Sequence, residues 1–411
     1  MTAWLQLIKA IMRAAAAVLL LHIAHAKAPD HHHDYALNAT LTHPIELACL
    51  KQVRLRGDLG LAPADRSLYS YNPSVRRVDG GYLYLARVTN LHGCDAARAA
   101  RPATVVDGLF ALALLDDGLS IVPRSEALVP LPGLPPFADC RLGPRDAVLC
   151  NDVIFAVSFE RIAAAPRWAC DARLECPSGA ASLDPPATSV VAAVDFRDGV
   201  RYAFSAPARL EGLGDGAKNV NLFERAGKLY AETYPVVKRE ILELENGTQR
   251  VARAFAPPAV AGAPPSRRDV DRNSPERDAQ LRRVWHRGIL HRAEPRGGAC
   301  CVETADAFLG VGHYRGRGSQ YVLFAYAFSK TPPFALAALG EPFCLPSRDA
   351  TPRLLRSACP RIAMATSIVK HDDNSVLLGV GANDCAAYVA PLRVAVLAST
   401  GTLRPTGPLP D

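Results

Sequence analysis

The sequence predicts an all-β fold, and three observations support that prediction. The 411 residues contain many short runs rich in aromatic and β-branched residues, bounded by Gly, Asp and Asn. No pattern typical of a long amphipathic helix stands out. A unit of hairpin, polar turn and hairpin recurs every ~60–70 residues, and about five such units fit between residues 60 and 400. Many short strands form a sandwich, a barrel or a propeller, and this spacing favours a five-bladed β-propeller.

The individual strands are predicted from apolar runs that end at turn signals. Gly81 begins one run, the turn Asp116-Asp117-Gly118 ends another, and Asn151-Asp152 interrupts a third. A few helical turns are predicted at 277–290. The predicted strands cover 82–88, 108–115, 147–159, 189–196, 200–204, 228–234, 236–244, 307–313, 321–328, 375–380 and 386–396.

The N-terminus has the features of a targeting segment. Lys9 and Arg13 precede an apolar run at 14–23 that ends in Ala24-His25-Ala26, a pattern typical of a secretory signal peptide. The run is shorter than the ~20 residues that span a bilayer, and an uncleaved signal anchor is the alternative. The predicted domains are a signal at 1–26, an N-terminal extension at 27–60, a propeller at 61–400 with a disordered insertion at 256–283, and a tail at 401–411.

Sequons and cysteines predict a location in the lumen of the secretory pathway or outside the cell. Asn38 and Asn246 each begin an Asn-X-Thr glycosylation sequon. Eleven cysteines fit an oxidising compartment, and the odd number leaves at least one thiol free or bonded to another chain. Close spacing suggests the disulfides Cys170–Cys176, Cys344–Cys359 and Cys140–Cys150.

The charge pattern argues against several classes of partner. The net charge of +7 comes from scattered arginines, which indicates a mild preference for anionic ligands and no nucleic-acid surface. Membrane contact is expected only if the N-terminal segment stays uncleaved. No Cys-X-X-Cys pair is present, so no zinc ribbon is expected, and the histidines at 31–33 are interpreted as a solvated tail. No metal site is predicted.

The strongest candidate for chemistry is the pair Asp139 and Arg141. Residues two apart on a strand face the same side, so a carboxyl and a guanidinium group would project together into one cleft. Such a pair suits chemistry that protonates one oxygen while holding an anion or a polar sugar nearby. The alternative is a surface ion pair at a strand end.

Four other polar or Gly-rich turns flank apolar strands and would converge at one end of a propeller channel. Their candidate residues have ordinary alternatives as well. Asp384 could simply cap a tight turn, His313 could be a core histidine, and charged residues among the others could lie on the surface. The candidates are Asn72 with Arg87, Lys218, His313 after Gly297-Gly298, and Asp384 after Gly379.

In this order, the motifs resemble glycoside hydrolase family 130, the β-mannoside phosphorylases and related mannosyltransferases. Asn72-Pro73 with Arg87 resembles the family's "NP…R" opening, and residues 137–142 resemble its "EDPR" motif. Residues 297–313 resemble "GG.PPV…YH", and residues 379–384 resemble "YGaaD". The resemblance covers roughly residues 70 to 395.

This chain departs from the family pattern at two of those motifs. Ala138 stands where the family has Glu, and Cys140 stands where it has Pro. Ala299-Cys300-Cys301 replaces a turn of the Thr-Pro-Pro type, so either the backbone there is less rigid or cystine supplies the rigidity that proline gives elsewhere. These departures bear on activity more than on fold.

The resemblance implies a five-bladed β-propeller with a central sugar site. It implies that Asp139 is the general acid, and it places Asn72 and Asp384 in the same site. Cations of the site would hold phosphate or the diphosphate of a sugar nucleotide. The implied cations and imidazole are Arg87, Arg141, Lys218 and His313.

The choice of mechanism depends on a second carboxylate. An inverting hydrolase needs one to activate water, and Glu303, Asp306 and Asp384 are candidates, with Asp384 preferred. A phosphorylase needs none, and a transferase needs cations for its leaving group. We expect a luminal enzyme that transfers a mannose-like glycosyl group with inversion. It would use no cofactor and would take a sugar nucleotide or inorganic phosphate as co-substrate. A propeller that only binds glycans or proteins, or a glycoside hydrolase, is the alternative.

Overall fold

A computed structural model shows that the described part of the chain consists almost entirely of antiparallel strands, which form five sheets. The sheets are the blades of a five-bladed β-propeller, so the predicted fold class is confirmed. No helix among the described residues has the length and apolar character needed to cross a membrane. The structure describes residues 41, 44–47, 68–90, 106, 108–131, 134, 138–162, 191–194, 199–210, 213, 219–233, 235, 239–245, 251–255, 294–315, 321–346, 360, 362–394, 397 and 404–405.

Blade 1 is a four-stranded meander whose middle strands are buried on both faces. Alternate residues of its second strand enter different cores, with Tyr84 packing toward blade 5 and Leu85 toward blade 2. Gly81 is required at the hairpin, because a Cβ there would lie 2.0 Å from the carbonyl oxygen of Leu115. The strands, in sheet order, are β1 (Tyr69–Val78), β2 (Gly81–Thr89), β3 (Leu109–Leu115) and β4 (Ala127–Pro130).

Blades 2 and 3 follow along the chain. In blade 2 the sheet order is β5-β6-β7-β9-β8, with β10 pairing β7, and in blade 3 the order is β11-β12-β13-β14. The strands of blade 2 are β5 (Cys140–Leu142), β6 (Ala147–Cys150), β7 (Val153–Ile162), β8 (Val191–Val194), β9 (Gly199–Phe204) and β10 (Ala208–Arg209). Those of blade 3 are β11 (Asn221–Arg225), β12 (Lys228–Glu232), β13 (Ile241–Leu244) and β14 (Val251–Phe255).

Blades 4 and 5 complete the ring. The strands of blade 4 are β15 (Glu294–Glu303), β16 (Phe308–Arg315), β17 (Tyr321–Phe328), β18 (Leu336–Phe343) and β22 (Arg404–Pro405). Those of blade 5 are β19 (Ala363–Lys370), β20 (Ser375–Ala382) and β21 (Ala386–Arg393). A segment from the N-terminal side adds to the outer edge of blade 5, where Ile45 donates its amide to Ala387 and Pro44 bridges Tyr388. That addition covers an otherwise open edge strand.

The first strand of every blade lies in an inner ring, and hydrogen bonds cross the boundaries of blade 1 within that ring. The amide of Leu142 in blade 2 donates to Ser74 Oγ in blade 1 at 2.8 Å. The amide of Val75 in turn donates to Ser367 Oγ in blade 5 at 2.9 Å. Glycines allow close contact on the other side, since a Cβ on Gly298 of blade 4 would lie 2.9 Å from the carbonyl oxygen of Ala365 in blade 5. The inner strands are therefore held in one continuous ring.

The predicted strands within the described residues all correspond to strands of the sheets, including the break at Asn151-Asp152 between β6 and β7. Several predictions fall on residues outside the described part and stay predictions. They are the signal at 1–26, the histidines at 31–33, Asn38, the pair Cys170–Cys176, Lys218, Asn246, the insertion at 256–283, the helical turns at 277–290 and Cys359.

The disulfide predicted between Cys140 and Cys150 is confirmed. The two residues are directly opposite in the register of β5 and β6. Cys344 and Cys385 each belong to a disulfide bond as well. Cys300 and Cys301 carry free thiols.

Candidate active site

Asn72 lies at an irregularity of the innermost strand of blade 1. The pairing of β1 with β2 shifts register between Tyr71 and Ser74, and Asn72 has a φ of 51°, which asparagine tolerates better than most residues. Gly381 of blade 5 packs directly on the Asn72 side chain, because a Cβ there would lie 2.1 Å from Asn72 Oδ1. With the amide oxygen against Gly381, Nδ2 donates to Asp139 Oδ1 at 2.9 Å. The bulge thus directs an amide donor at the candidate acid.

The described residues hold Asp139 through one carboxylate oxygen, Oδ1. Arg87 Nη1 lies 3.6 Å from the same Oδ1 that accepts from Asn72. The Arg87 guanidinium is buried and lies over the Tyr71 ring at 5.5 Å, which fixes its position. Within the described part of the chain Oδ2 has no bonded partner, and the Asp139 side chain is 21% exposed. Oδ2 is therefore the oxygen that can meet a ligand.

Arg141 points away from Asp139 toward blade 3. Its Nη1 donates to the carbonyl oxygen of Val220 at 3.3 Å and its Nη2 to Asn219 Oδ1 at 3.1 Å. Burial lowers the pKa of Arg141 to about 10, although the Asp139 carboxylate acts in the opposite direction. Arg141 is thus a cation at neutral pH, and it makes no ion pair with any described residue.

The sequence predicts that Asp139 and Arg141 project together into one cleft, and the structure shows that their side chains bond to different blades. Asp139 bonds to blade 1 and Arg141 bonds to blade 3, so this segment of blade 2 contacts the blades on both sides of it. A surface ion pair does not describe these residues, because Arg141 is only 4% exposed and the two side chains bond to different neighbours.

Asn219 is a site residue that the sequence argument did not single out. It has a φ of 60° and stands just before the first strand of blade 3, as Asn72 stands within that of blade 1. Gly297 makes room for it, because a Cβ on Gly297 would lie 2.4 Å from the Asn219 carbonyl oxygen. Two asparagines of left-handed conformation thus hold Asp139 and Arg141. The available signal was an Asn after a Gly-rich turn at the start of a strand.

His313 lies within blade 4, and Asp384 lies in a turn of blade 5. His313 is buried on β16 opposite Arg296, and its ring stacks on Tyr321 with centroids 4.8 Å apart. Asp384, with a φ of 53°, belongs to the turn between β20 and β21 that follows Gly381. Because Gly381 packs on Asn72, that turn lies at the same end of the ring as Asp139.

The other two acids considered as a second carboxylate lie elsewhere. Glu303 ends β15 and pairs with Arg225 at 2.8 Å and with Lys330 at 3.1 Å. Asp306 is exposed in the turn that follows. Gly297 meets Asn219 near the start of β15, so Glu303 lies six residues further along that strand at the opposite end of the ring. Of the three candidates, only Asp384 shares the end that holds Asp139.

A buried polar network lies behind Arg141, between blades 3 and 4. Glu232 accepts from Arg239 Nη2 at 3.0 Å and from the hydroxyl of Tyr326. The Arg239 guanidinium also lies 4.3 Å from the Phe328 ring centroid. Burial and the Glu232 charge raise the pKa of Tyr326 well above its ordinary value, so its hydroxyl keeps its proton. No local sequence pattern reveals this network, because Glu232 and Tyr326 are 94 residues apart along the chain.

Comparison with known proteins gives matches among solved structures alone. No protein-family model matches the sequence, and no curated protein matches it. A beta-1,2-mannobiose phosphorylase from Listeria innocua is 13% identical, with a TM-score of 0.49, over 84% of this chain and 95% of that chain. A mannose phosphorylase from Leishmania mexicana, in complex with phosphate ion, is 11% identical, with a TM-score of 0.43, over 93% and 96%.

A glycosyl hydrolase from Bacteroides ovatus matches similarly, with 10% identity and a TM-score of 0.43 over 88% of this chain and 94% of that chain. Proteins named as mannose or mannobiose phosphorylases are thus among the structural neighbours of this propeller.

Proposed function

We propose that this chain is a luminal carbohydrate-active enzyme that transfers a mannose-like glycosyl group with inversion. The observation that supports the proposal is the setting of Asp139. One carboxylate oxygen is fixed by Asn72 and Arg87, while the other is free of described partners on a partly exposed side chain. A carboxyl group fixed through one oxygen presents the second in a defined direction, as a proton donor or acceptor must.

The cations near Asp139 offer a place for an anionic co-substrate. Arg87 Nη1 lies 3.6 Å from Asp139 Oδ1, so a phosphate held by Arg87 and Arg141 would lie beside the acid. In phosphorolysis Asp139 gives a proton to the leaving glycosidic oxygen while phosphate attacks the anomeric carbon from the opposite face. In synthesis the ionised Asp139 takes the proton of the acceptor hydroxyl.

Arg141 has the properties of an anion-binding group. It is a buried cation that bonds to a carbonyl and an amide oxygen, and its Nε has no described partner. A buried charge without an ion pair costs free energy, and a bound anion would offset that cost. Phosphate or the diphosphate of a sugar nucleotide fits this requirement, and no further cofactor is needed for the transfer.

The test is an assay of the purified protein with two donors. One arm uses β-linked manno-oligosaccharides with and without inorganic phosphate, and the other uses a nucleotide-activated mannose with a mannoside acceptor. We expect a sugar 1-phosphate that appears only when phosphate is present, or transfer to the acceptor in the second arm. Release of free sugar at a rate independent of phosphate would instead indicate a hydrolase.

A second candidate function is a propeller that binds glycans without turning them over. Two observations at the acid favour it. Ala138 is buried where the resemblance expects a glutamate, and Cys140 is locked to Cys150. Binding of manno-oligosaccharides with no turnover in either arm, unchanged in Asp139→Asn, would support this reading over the enzyme.

A further inference from the structure

Cys300 and Cys301 occupy an irregular part of β15, the first strand of blade 4. The pairing of β15 with β16 shifts register on both sides of Ala299. In a regular strand, adjacent side chains point to opposite faces of the sheet. Here both cysteines pack against the same aromatic cluster, which includes Phe328 and Phe334, and their thiols are hydrogen-bonded to each other. The irregularity therefore brings two adjacent thiols into contact.

This pair differs from the other cysteines that the structure describes. Cys140 and Cys150 are joined, and Cys344 and Cys385 each belong to a disulfide bond, whereas Cys300 and Cys301 are free. Both free residues are partly exposed, although their thiols pack in the aromatic cluster, so only a small reagent can react with them. When a reagent reacts with one sulfur, the second sulfur is within hydrogen-bonding distance of the first.

We propose that Cys300 and Cys301 form a dithiol site that reacts with small-molecule disulfides and closes to a vicinal disulfide. A thiolate of the pair attacks one sulfur of the reagent, whose S–S bond breaks and releases one thiol. The second thiolate attacks the sulfur of its neighbour in the mixed disulfide, which releases a second thiol. Each cysteine loses one proton and the pair loses two electrons, and the small disulfide is reduced to two thiols.

The surroundings of the pair set the pH dependence of this reaction. Burial raises the pKa of both thiols, the Glu232 carboxylate adds to this, and Arg239 opposes it. Glu303, on the same strand as the pair, also raises the pKa of Cys301. Tyr326 lies close enough to interact electrostatically with both thiols. Because the thiolate is the nucleophile, the rate should rise as the pH rises, by up to about tenfold per unit below the thiol pKa.

The experiment uses the full chain incubated with glutathione disulfide and then trapped with a thiol-alkylating reagent. Trypsin releases the peptide of residues 297–315, which contains both cysteines. We expect this peptide to escape alkylation and to lose two hydrogen atoms, about 2 Da, on oxidation. Faster loss at higher pH is expected as well. A peptide that stays fully alkylated, or that keeps one stable glutathione on either cysteine, would overturn the proposal.

Two single variants make the result specific. Cys300→Ser and Cys301→Ser should each stop at a mixed disulfide with one glutathione, because the attacking neighbour is missing. A trivalent arsenical, phenylarsine oxide, should bind the reduced protein at this site and should lose that binding in either variant. Arsenical binding that persists in both variants would contradict the assignment. If a variant fails to fold, the peptide mass of the unchanged protein still decides the question.

Discussion

The two ends of the inner ring of strands differ in how their charged side chains are paired. The end that holds Asp139 is the site end, and the opposite end, which holds Glu303, is the far end. At the far end, exposed or partly exposed arginines face carboxylates across blade boundaries. These ion pairs are Arg76–Asp146, Arg145–Glu224 and Arg225–Glu303, with N–O distances of 2.8, 2.9 and 2.8 Å. At the site end, Arg87 and Arg141 are buried, and the described partners of Arg141 are neutral oxygens. Exposed ion pairs contribute little each, whereas a buried cation without an ion pair is costly.

The difference suggests what each end is for. The far end joins neighbouring blades by ion pairs in which each of these arginines faces a carboxylate. The site end keeps a cation beside an acid, with asparagines and glycines where large side chains would fill the space. A buried cation without an ion pair costs stability, and a bound anion would offset that cost.

The largest effect on anion binding is expected from removing the buried cation. Arg141→Met keeps much of the side-chain volume but removes the charge, and a hydrogen bond from a charged group contributes about 1.5–3 kcal/mol. Phosphate affinity, measured by calorimetry, should fall roughly 10- to 150-fold. Arg225→Met is the matched control at the far end and should leave phosphate affinity unchanged. Equal losses in both variants would mean that the two ends do not differ in this way.

The pH dependence of anion binding sharpens the same comparison. Burial lowers the pKa of Arg141 to about 10, whereas the exposed Arg145 has its pKa raised by Glu224. Arg141 is therefore charged below pH 10 and loses its charge as the pH rises through that value, so phosphate affinity should fall there. This fall in phosphate affinity above pH 10 should be absent in Arg141→Met. A profile that is the same in both proteins would contradict the role given to Arg141.

A smaller effect is expected at Asn72, and two substitutions separate its side chain from its backbone. Asn72→Gly keeps the positive φ but removes the donor to Asp139, and should lower kcat roughly tenfold or more with KM little changed. Asn72→Ala should lower kcat equally and should also destabilise the fold by about 1 kcal/mol, because alanine is strained at this φ. Thermal unfolding and steady-state kinetics measure both effects. Unchanged kcat in the glycine variant would mean that Asn72 does not position Asp139.

The smallest effect is expected for a far-end ion pair. A double-mutant cycle on Arg225 and Glu303, with alanine at each position, should give a coupling of about 0–1 kcal/mol that weakens as salt is added. Lys330 remains as a partner for Glu303 in the single Arg225 variant, which limits the loss further. A coupling above about 2 kcal/mol, beyond the range of exposed pairs, would mean that the far end is a main source of stability.

The sequence predicts the regular strands well because their signals are local. Gly81 and the turn at 116–118 bound β2 and β3, and both strands are mostly apolar and buried throughout. The innermost strands are harder to predict. β15 contains two glycines and two register shifts, and β19 is rich in Ala, Ser and Thr, since these strands pack backbone against backbone in the ring. Their β-structure depends on neighbouring blades, which no local pattern reveals.

The site residues also divide into those that the sequence predicts and those that it does not. Asp139 and Arg141 could be selected because an acid and a cation stand two residues apart, and Asn72 and Arg87 do lie beside the acid. The opposite directions of Asp139 and Arg141 could not be predicted, because they depend on which blade packs on each side. Asn219 acts through its conformation and its contact with Gly297, and neither is visible in composition or spacing.

The central claim is that Asp139, among the acids of the ring, moves the proton in glycosyl transfer. The most direct measurement compares Asp139→Asn with Asp146→Asn, which changes an exposed acid of the far end in the same way. We predict that Asp139→Asn lowers kcat by about 100- to 10,000-fold while glycan affinity is kept, and that Asp146→Asn has wild-type kcat. Turnover by Asp139→Asn at the wild-type rate would contradict the account.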